Sequence, residues 1–242
     1  MSTPNGSTGD PPRNLLLRAL PPEEYGRLAD ALEPVTLELR DTIFSPGKPI
    51  EHLYFPVDCV LSLVATIDGE AVIEVATIGF EGVAGLPAFL GVGESPHDCY
   101  CQVPGRALRL ATADLRRFLS GDGALHDVLH RFTNATMVQL AQNVTCNRLH
   151  TTEERCARWL LQTRDRVGAD EFLMTQEFLS QMLGVRRGTV SLTASVLQQA
   201  GIIRYTRGRI SVLDATALHD VACECYDIVQ AEHARIDAAP EL

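Results

Sequence analysis

The sequence predicts an α+β chain with a β-rich N-terminal half, one long connecting helix, and a helical C-terminal unit closed by a short β-hairpin. Three observations carry that reading. Short β-branched or alternating runs between Val35 and Leu110 are separated by turn residues. Helical periodicity follows Gly123 as far as Asn147 with neither proline nor glycine inside it. Between Met174 and Leu213, two short apolar-striped helices joined at a glycine precede an Arg-Gly-Arg hairpin. A length of 242 residues suits two domains, and 45% apolar against 21% charged residues lets each bury a core.

Residues 1–12, rich in Ser, Thr, Gly, Pro and Asn, read as a flexible tail. Leu16, Leu20, Tyr25, Leu28 and Leu32 then recur at near-helical spacing around Pro21 and Pro22, which suit a helix start, so one or two short helices are expected. Strands follow at Val35 to Leu39, Leu53 to Phe55, Val60 to Ile67, Ala71 to Ile78, Cys99 to Val103 and Ala107 to Leu110. Asp68-Gly69 between two apolar runs marks a hairpin, because the turn needs positive φ.

Thr112 opens a short helix, and Asp122 or Gly123 opens the long one. Thr151-Thr152-Glu153-Glu154 is itself a helix start, so a separate helix is expected from Thr152 to Val167. The long helix places Leu125, Val128, Leu129, Phe132, Thr136, Leu140 and Val144 on one broad face. Its polar insertions Thr136, Gln139 and Asn143 resemble those that fix register between paired helices, and a homodimer through this helix is the economical reading. The expected boundaries are 13–111, 112–150 and 151–242.

No apolar run approaches the roughly 20 residues that span a bilayer, and the first ten residues lack a signal pattern, so the expected place is the cytoplasm, with no membrane partner. Seven cysteines without framework spacing read as reduced thiols. The net charge of −10 argues against nucleic acid only if averaged over the chain. Residues 1–150 carry 18 acids and 11 bases, whereas Val185 to Leu213 carry Arg186, Arg187, Arg204, Arg207 and Arg209 and no acid. DNA responds to that local field, which is screened only beyond about 8 to 10 Å.

In the C-terminal unit, Phe178, Leu179 and Met182 form the inward stripe of the first short helix, Gly184 the turn and Val185 its plug. Val190, Ala194 and Leu197 form the inward stripe of the second. Its outward face then presents Arg186, Arg187, Thr189, Ser191 and Ser195, with Gly188 leaving room for close approach, a face suited to the major groove of double-stranded DNA. After Gly201 the hairpin forms a wing whose Arg204, Arg207 and Arg209 are placed to meet phosphates.

This order of elements, and above all Leu183-Gly184-Val185-Arg186-Arg187-Gly188-Thr189-Val190-Ser191, resembles the Crp/Fnr superfamily of transcription regulators over residues 14 to 215. The resemblance implies a cyclic-nucleotide-binding-like β jelly roll at 13–111, a dimerisation helix at 112–150 and a winged helix-turn-helix at 151–242. It also implies a small-molecule effector and RNA polymerase as partners, and it puts Arg187 on the family's base-reading arginine. The acidic residue that usually follows is replaced by Gly188, and the second arginine of the cyclic-AMP receptor type by Leu192, so no operator carries over.

Gly79 to Leu86 looks like the start of the family's phosphate-binding cassette, which makes Glu81, Gly82, Val83, Ala84 and Gly85, with Thr136 of the long helix, the effector-pocket candidates. The stretch Gly93 to Cys99 contains no arginine, and a phosphate buried without a cation is costly, so an effector other than cyclic AMP in the usual mode is expected. No cysteine precedes Cys59, whereas the family's oxygen sensors hold iron and sulfur in an N-terminal cysteine cluster. No cofactor is assigned.

His219 and Cys223 have i, i+4 spacing, but Cys-x-Cys on a helix points its thiols apart, so Cys223 and Cys225 are expected as free thiols. Cys99 and Cys101 share a strand face near His97, a spacing compatible with metal or redox sensing. The roles of both cysteine pairs stay open, and no metal site is assigned. No phosphate loop or nucleophile elbow occurs, and no enzyme is expected. The alternative reading is a ligand- or redox-sensing module that uses the winged unit for protein contacts.

Overall fold

The computed structural model describes residues 12–67, 71–119 and 123–236. Residues 1–11 of the expected tail and the Asp68-Gly69 tip lie outside the described residues.

Helix α1 (Leu15–Arg18) is capped by Asn14, whose buried side chain accepts from Leu16 N and Leu17 N and donates to Pro56 O and Gly82 O. One side chain thus ties the entering chain to two loops of the β-domain. Helix α2 (Pro22–Ala29) begins on a proline at its first position, where the missing N–H costs nothing.

Seven strands follow: β1 (Glu33–Leu37), β2 (Thr42–Phe44), β3 (His52–Pro56), β4 (Val60–Ile67), β5 (Ala71–Ile78), β6 (Asp98–Val103) and β7 (Gly105–Ala111). They form two antiparallel sheets, ordered β1-β7-β3 and β2-β6-β4-β5. Leu37 and Ala107 from the first sheet meet Phe44, Leu61, Cys99 and Cys101 from the second in one buried cluster. Short helix α3 (Leu86–Phe89) lies between β5 and β6. The six expected strands are all present. β2 was not read from the sequence, and its three residues pair with β6 through a register shift.

Helix α4 (Thr112–Phe118) leads to the long helix α5 (Ala124–Leu149). Gly123 caps α5 without a side chain, and Glu24 from α2 supplies the missing acceptor for Ala124 N and Leu125 N. Leu125, Val128, Leu129, Phe132 and Ala135 pack into the core of the chain's own N-terminal half. The homodimer expected through this helix is left only its other side, where Val144, placed by its spacing on the same face as Leu125, is exposed. Gln139 donates to Thr77 O and Asn143 to Val75 O, so these amides fix α5 on β5, and Thr136 bonds back to Phe132 O of its own helix.

The C-terminal unit opens with α6 (Thr152–Val167), bounded by a capping box of Thr151 and Glu154 and by Gly168 at φ 70°. It continues through β8 (Glu171–Leu173), α7 (Gln176–Leu183), α8 (Arg187–Gln199), β9 (Ile203–Thr206), β10 (Arg209–Val212), α9 (Ala215–Val221) and α10 (Cys225–Ala234). β10 lies between β8 and β9, so the wing is three-stranded where the sequence read two. α10 returns to pack along α5.

The two halves share one core. Val64 of β4 is buried with Trp159, Met182 and Leu183, while Phe178 of α7 meets the Tyr100 ring at 6.3 Å. Phe178, expected to point into its own unit, thus reaches across to the β-domain.

Candidate DNA-binding face and sensor side

Helix α7 ends at Gly184, whose φ of 63° supplies the left-handed turn, and Val185 N donates to Ser180 O to close it. Val190, Ala194 and Leu197 hold α8 against the core, as their spacing required. The first turn of α8 contains no acid and leaves Arg186, Arg187, Gly188 and Thr189 exposed. A Cβ on Gly188 would meet nothing within 4 Å, so the fold itself gives that glycine no task. The helix N-terminus and its two arginines together favour an approaching anion.

Ser191 donates to Gln176 Oε1 at 2.8 Å and is half-buried, so it braces α8 on α7. Ser195 accepts from Gln199 one turn on. Leu192 and Val196 are exposed on the same helix, giving its outer face an apolar strip beside the arginines.

The wing turn places Arg207 at φ 52° and Gly208 at φ 77°, the two left-handed residues of a two-residue hairpin. Arg204 and Arg207 are exposed and make no ion pair among the described residues. Arg209 is different: its guanidinium lies 2.9 Å from Glu171 of β8, which also accepts from Ser211. The pairing has no signature in the sequence, because Glu171 lies on a three-residue strand too short for alternation to register.

In the β-domain, the turn from Gly79 to Gly85 is packed from both directions. A Cβ on Gly79 would clash with the Arg166 stem and one on Gly82 with the Phe132 ring. Glu81 is buried, with Oε1 accepting from Gly79 N and paired with Arg166 Nε at 2.6 Å. Arg166 also donates to Thr77. Val83 lies in the core, Ala84 bridges to Tyr54, and Gly85 takes φ 101° against His52 O. Thr136 sits one turn beyond Phe132.

These candidates therefore gather around a filled turn, with Glu81 engaged by Arg166 of the C-terminal unit. Beside it lies a cavity of 220 Å³ lined by Glu81, Arg166, Asp165, Gln230 and His233 among others. Burial pushes the His233 imidazole down to about 4. The Arg166 guanidinium holds the Glu81 carboxyl below its usual range against the desolvation that would raise it.

Cys99 and Cys101 face the β-domain core with Cys59, and burial pushes the Cys59 and Cys101 thiols up to about 12, the state of inert packing thiols. His219 is exposed and paired with Asp227 at 2.9 Å, apart from Cys223.

A sequence model of the Crp-like helix-turn-helix domain matches residues 154–221. No curated protein matched the sequence. Among solved structures, FixK2 from Bradyrhizobium japonicum is similar with a TM-score of 0.68 at 17% identity, over 79% of this chain and 98% of that one. A Crp/Fnr-family transcriptional regulator from Thermus thermophilus has 0.63 at 20% identity, over 78% and 98%. The c-di-GMP-responsive global regulator CLP of Xanthomonas campestris has 0.59 at 15%, over 78% and 98%. The chain thus carries a Crp-like helix-turn-helix domain at residues 154–221, and its overall fold is similar to that of Crp/Fnr-family regulators.

Proposed function

We propose that the chain is a homodimeric, sequence-specific DNA-binding regulator in which α8 reads the major groove and the wing holds the backbone. The observation that carries this is the acid-free first turn of α8, where Arg186, Arg187 and Thr189 are exposed and unpaired by any carboxylate among the described residues. Arg187 is the base reader and Arg204 and Arg207 meet phosphates. Arg209, held by Glu171, stiffens the wing and contributes less to the contact.

The second copy docks on α5. With one face of α5 buried in its own chain, Met137 and Val144 remain 65% and 72% exposed, about two turns apart on the opposite side. Apolar side chains so placed on a helix that bridges two domains favour a like helix as their cover, and a two-fold axis there would pair two recognition helices.

The effector is of another class than a cyclic nucleotide held in the usual mode. Two facts support this: Arg166 and Phe132 fill the glycine turn, and the segment from Gly93 to Cys99 offers no cation. Relatives of this fold differ in what they answer to, CLP being responsive to c-di-GMP.

Selection of bound duplexes from a random pool tests the reading. A two-fold symmetric consensus is expected, and a pool that stays random at moderate salt, with and without cell extract, overturns it.

A further inference from the structure

Four metal-ligating side chains that are distant in sequence converge at the junction of the two halves. Cys146 lies in the last turn of α5 and His150 is that helix's C-cap. Cys223 lies in the break between α9 and α10 and Cys225 opens α10, where Tyr226 N donates to Cys223 O at 3.0 Å and closes a turn. That break overturns the expectation of divergent thiols: a turn, unlike a continuous helix, aims both sulfurs to one side. The ligand atoms of all four residues lie within 4.8 Å of one another.

We propose that Cys146, His150, Cys223 and Cys225 form a mononuclear tetrahedral site for a thiophilic divalent cation of the zinc class. The dimensions fit. A Zn²⁺ ion with Zn–S near 2.3 Å and Zn–N near 2.0 Å sets tetrahedral edges of about 3.8 Å between sulfurs and about 3.5 Å from sulfur to nitrogen. Cys146 Sγ stands 3.5 Å from Cys223 Sγ, and Cys225 Sγ stands 3.6 Å from His150 Nδ1. An iron–sulfur cluster spreads its four ligands over two or more irons, which four ligand atoms all within 4.8 Å of one another do not fit.

The surroundings are those of a ligand set. The other ring nitrogen of His150, Nε2, lies 3.4 Å from Glu224 Oε2, the carboxylate–histidine arrangement that orients a metal-binding imidazole. The three cysteines are buried, at 0%, 5% and 1% exposed, and form a cluster of their own. Three thiolates and a neutral imidazole around a divalent ion leave one net negative charge. Arg155 and Arg158 of α6 both act electrostatically on Cys146 and offset it.

The ion would join the end of α5, seated on the β-domain, to the C-terminal edge of the DNA-binding unit. His150 lies in the short link between α5 and α6, so metal occupancy fixes the angle at which the unit leaves the long helix.

The test uses the full-length chain, stripped by a chelator under reductant and titrated with Co²⁺. One equivalent per chain is expected, with the intense visible absorption of tetrahedral thiolate-bound cobalt, displaced by Zn²⁺. Cys223→Ser with Cys225→Ser abolishes that absorption. Glu224→Gln, which touches no sulfur and keeps the test readable if the double variant misfolds, weakens the affinity about 10- to 100-fold. Uptake far below one equivalent or the weak spectrum of octahedral cobalt overturns the proposal. So does a Cys146–Cys223 disulfide that, once reduced, still leaves the chain unable to take Co²⁺. Stoichiometric iron with acid-labile sulfide in protein purified without air overturns it as well.

Discussion

Arg166 Nε lies 2.6 Å from Glu81 Oε1, an ion pair that crosses from the C-terminal unit to the β-domain with its side chains only 5% and 7% exposed. It occupies the turn where the resemblance placed an effector phosphate. Removing one member of such a pair leaves a buried charge without its partner, at a cost of about 3 to 5 kcal/mol. Arg166→Met is expected to lose stability on that scale in urea unfolding. Arg166→Met with Glu81→Leu should lose clearly less than the two single changes added together, and simple additivity would show that the pair is not coupled.

Acid should loosen the same junction through His233. Its imidazole is buried neutral and titrates at about 4, below its ordinary 6.5. Between those values the unfolded chain binds a proton that the folded chain refuses, so stability falls as pH drops through this window, by up to about 1.4 kcal/mol per unit. Glu81, with its carboxyl held low by Arg166, acts in the same direction at still lower pH. His233→Gln is expected to flatten the slope of urea-derived stability between about pH 6.5 and 4, and an unchanged slope would remove His233 from the account.

Glu74 acts in the opposite direction. Burial pushes its carboxyl up, against hydrogen bonds from Trp159 Nε1 at 2.7 Å and Ser62 Oγ at 2.8 Å. A carboxyl raised in the fold costs stability as pH rises past its unfolded value, because the unfolded chain ionises first. Glu74→Gln, which still accepts from the indole, should therefore be more stable than the unaltered chain near pH 8 and lose that advantage near pH 4.5. Trp159 is the only tryptophan, so its emission reports this interface directly. A pH-dependent emission change that persists in Glu74→Gln would assign the titration to another group.

Local chemistry made much of the fold legible. The capping box at Thr151 and Glu154 placed α6 at its observed ends, and Gly184 with Val185 placed the turn between α7 and α8. Short strands were harder: β2 and β8 have three residues each, too few for alternation to register, and they exist because β6 and β10 offer open edges. Periodicity located the apolar face of α5 but not its cover, which Gln139 and Asn143 fix as β5 of the same chain. The convergence of Cys146, His150, Cys223 and Cys225 was not legible: His150 leaves the helix at its extended C-cap, and the turn that aims Cys223 and Cys225 is a tertiary feature.

The winged unit should divide its arginines by role. Arg187→Ala, if it removes a bidentate contact to a guanine, costs about 1 to 3 kcal/mol and relaxes preference at one base pair. Arg207→Ala should weaken all sequences alike and lower the slope of log K against log salt by about 1. Arg209→Ala, already paired with Glu171, should change that slope least of the three. Filter binding of the selected operator over a salt series measures all three. A sequence-selective loss from Arg207→Ala would contradict its phosphate role.

The proposed dimer rests on the exposed side of α5. Met137 and Val144 are 65% and 72% exposed, while the opposite side is occupied by the chain's own β-domain. A carboxylate at the centre of a closely packed helix pair is desolvated without a counter-ion, whereas on a free surface it is hydrated and nearly neutral in effect. Val144→Glu is therefore expected to leave the chain folded by circular dichroism but monomeric by sedimentation equilibrium. Operator binding should weaken sharply with it, since one recognition helix then works alone where two shared the cost of association. A variant that stays dimeric would move the interface off this face, and an unaltered chain that is monomeric at micromolar concentration would remove the pairing of recognition helices in the absence of DNA.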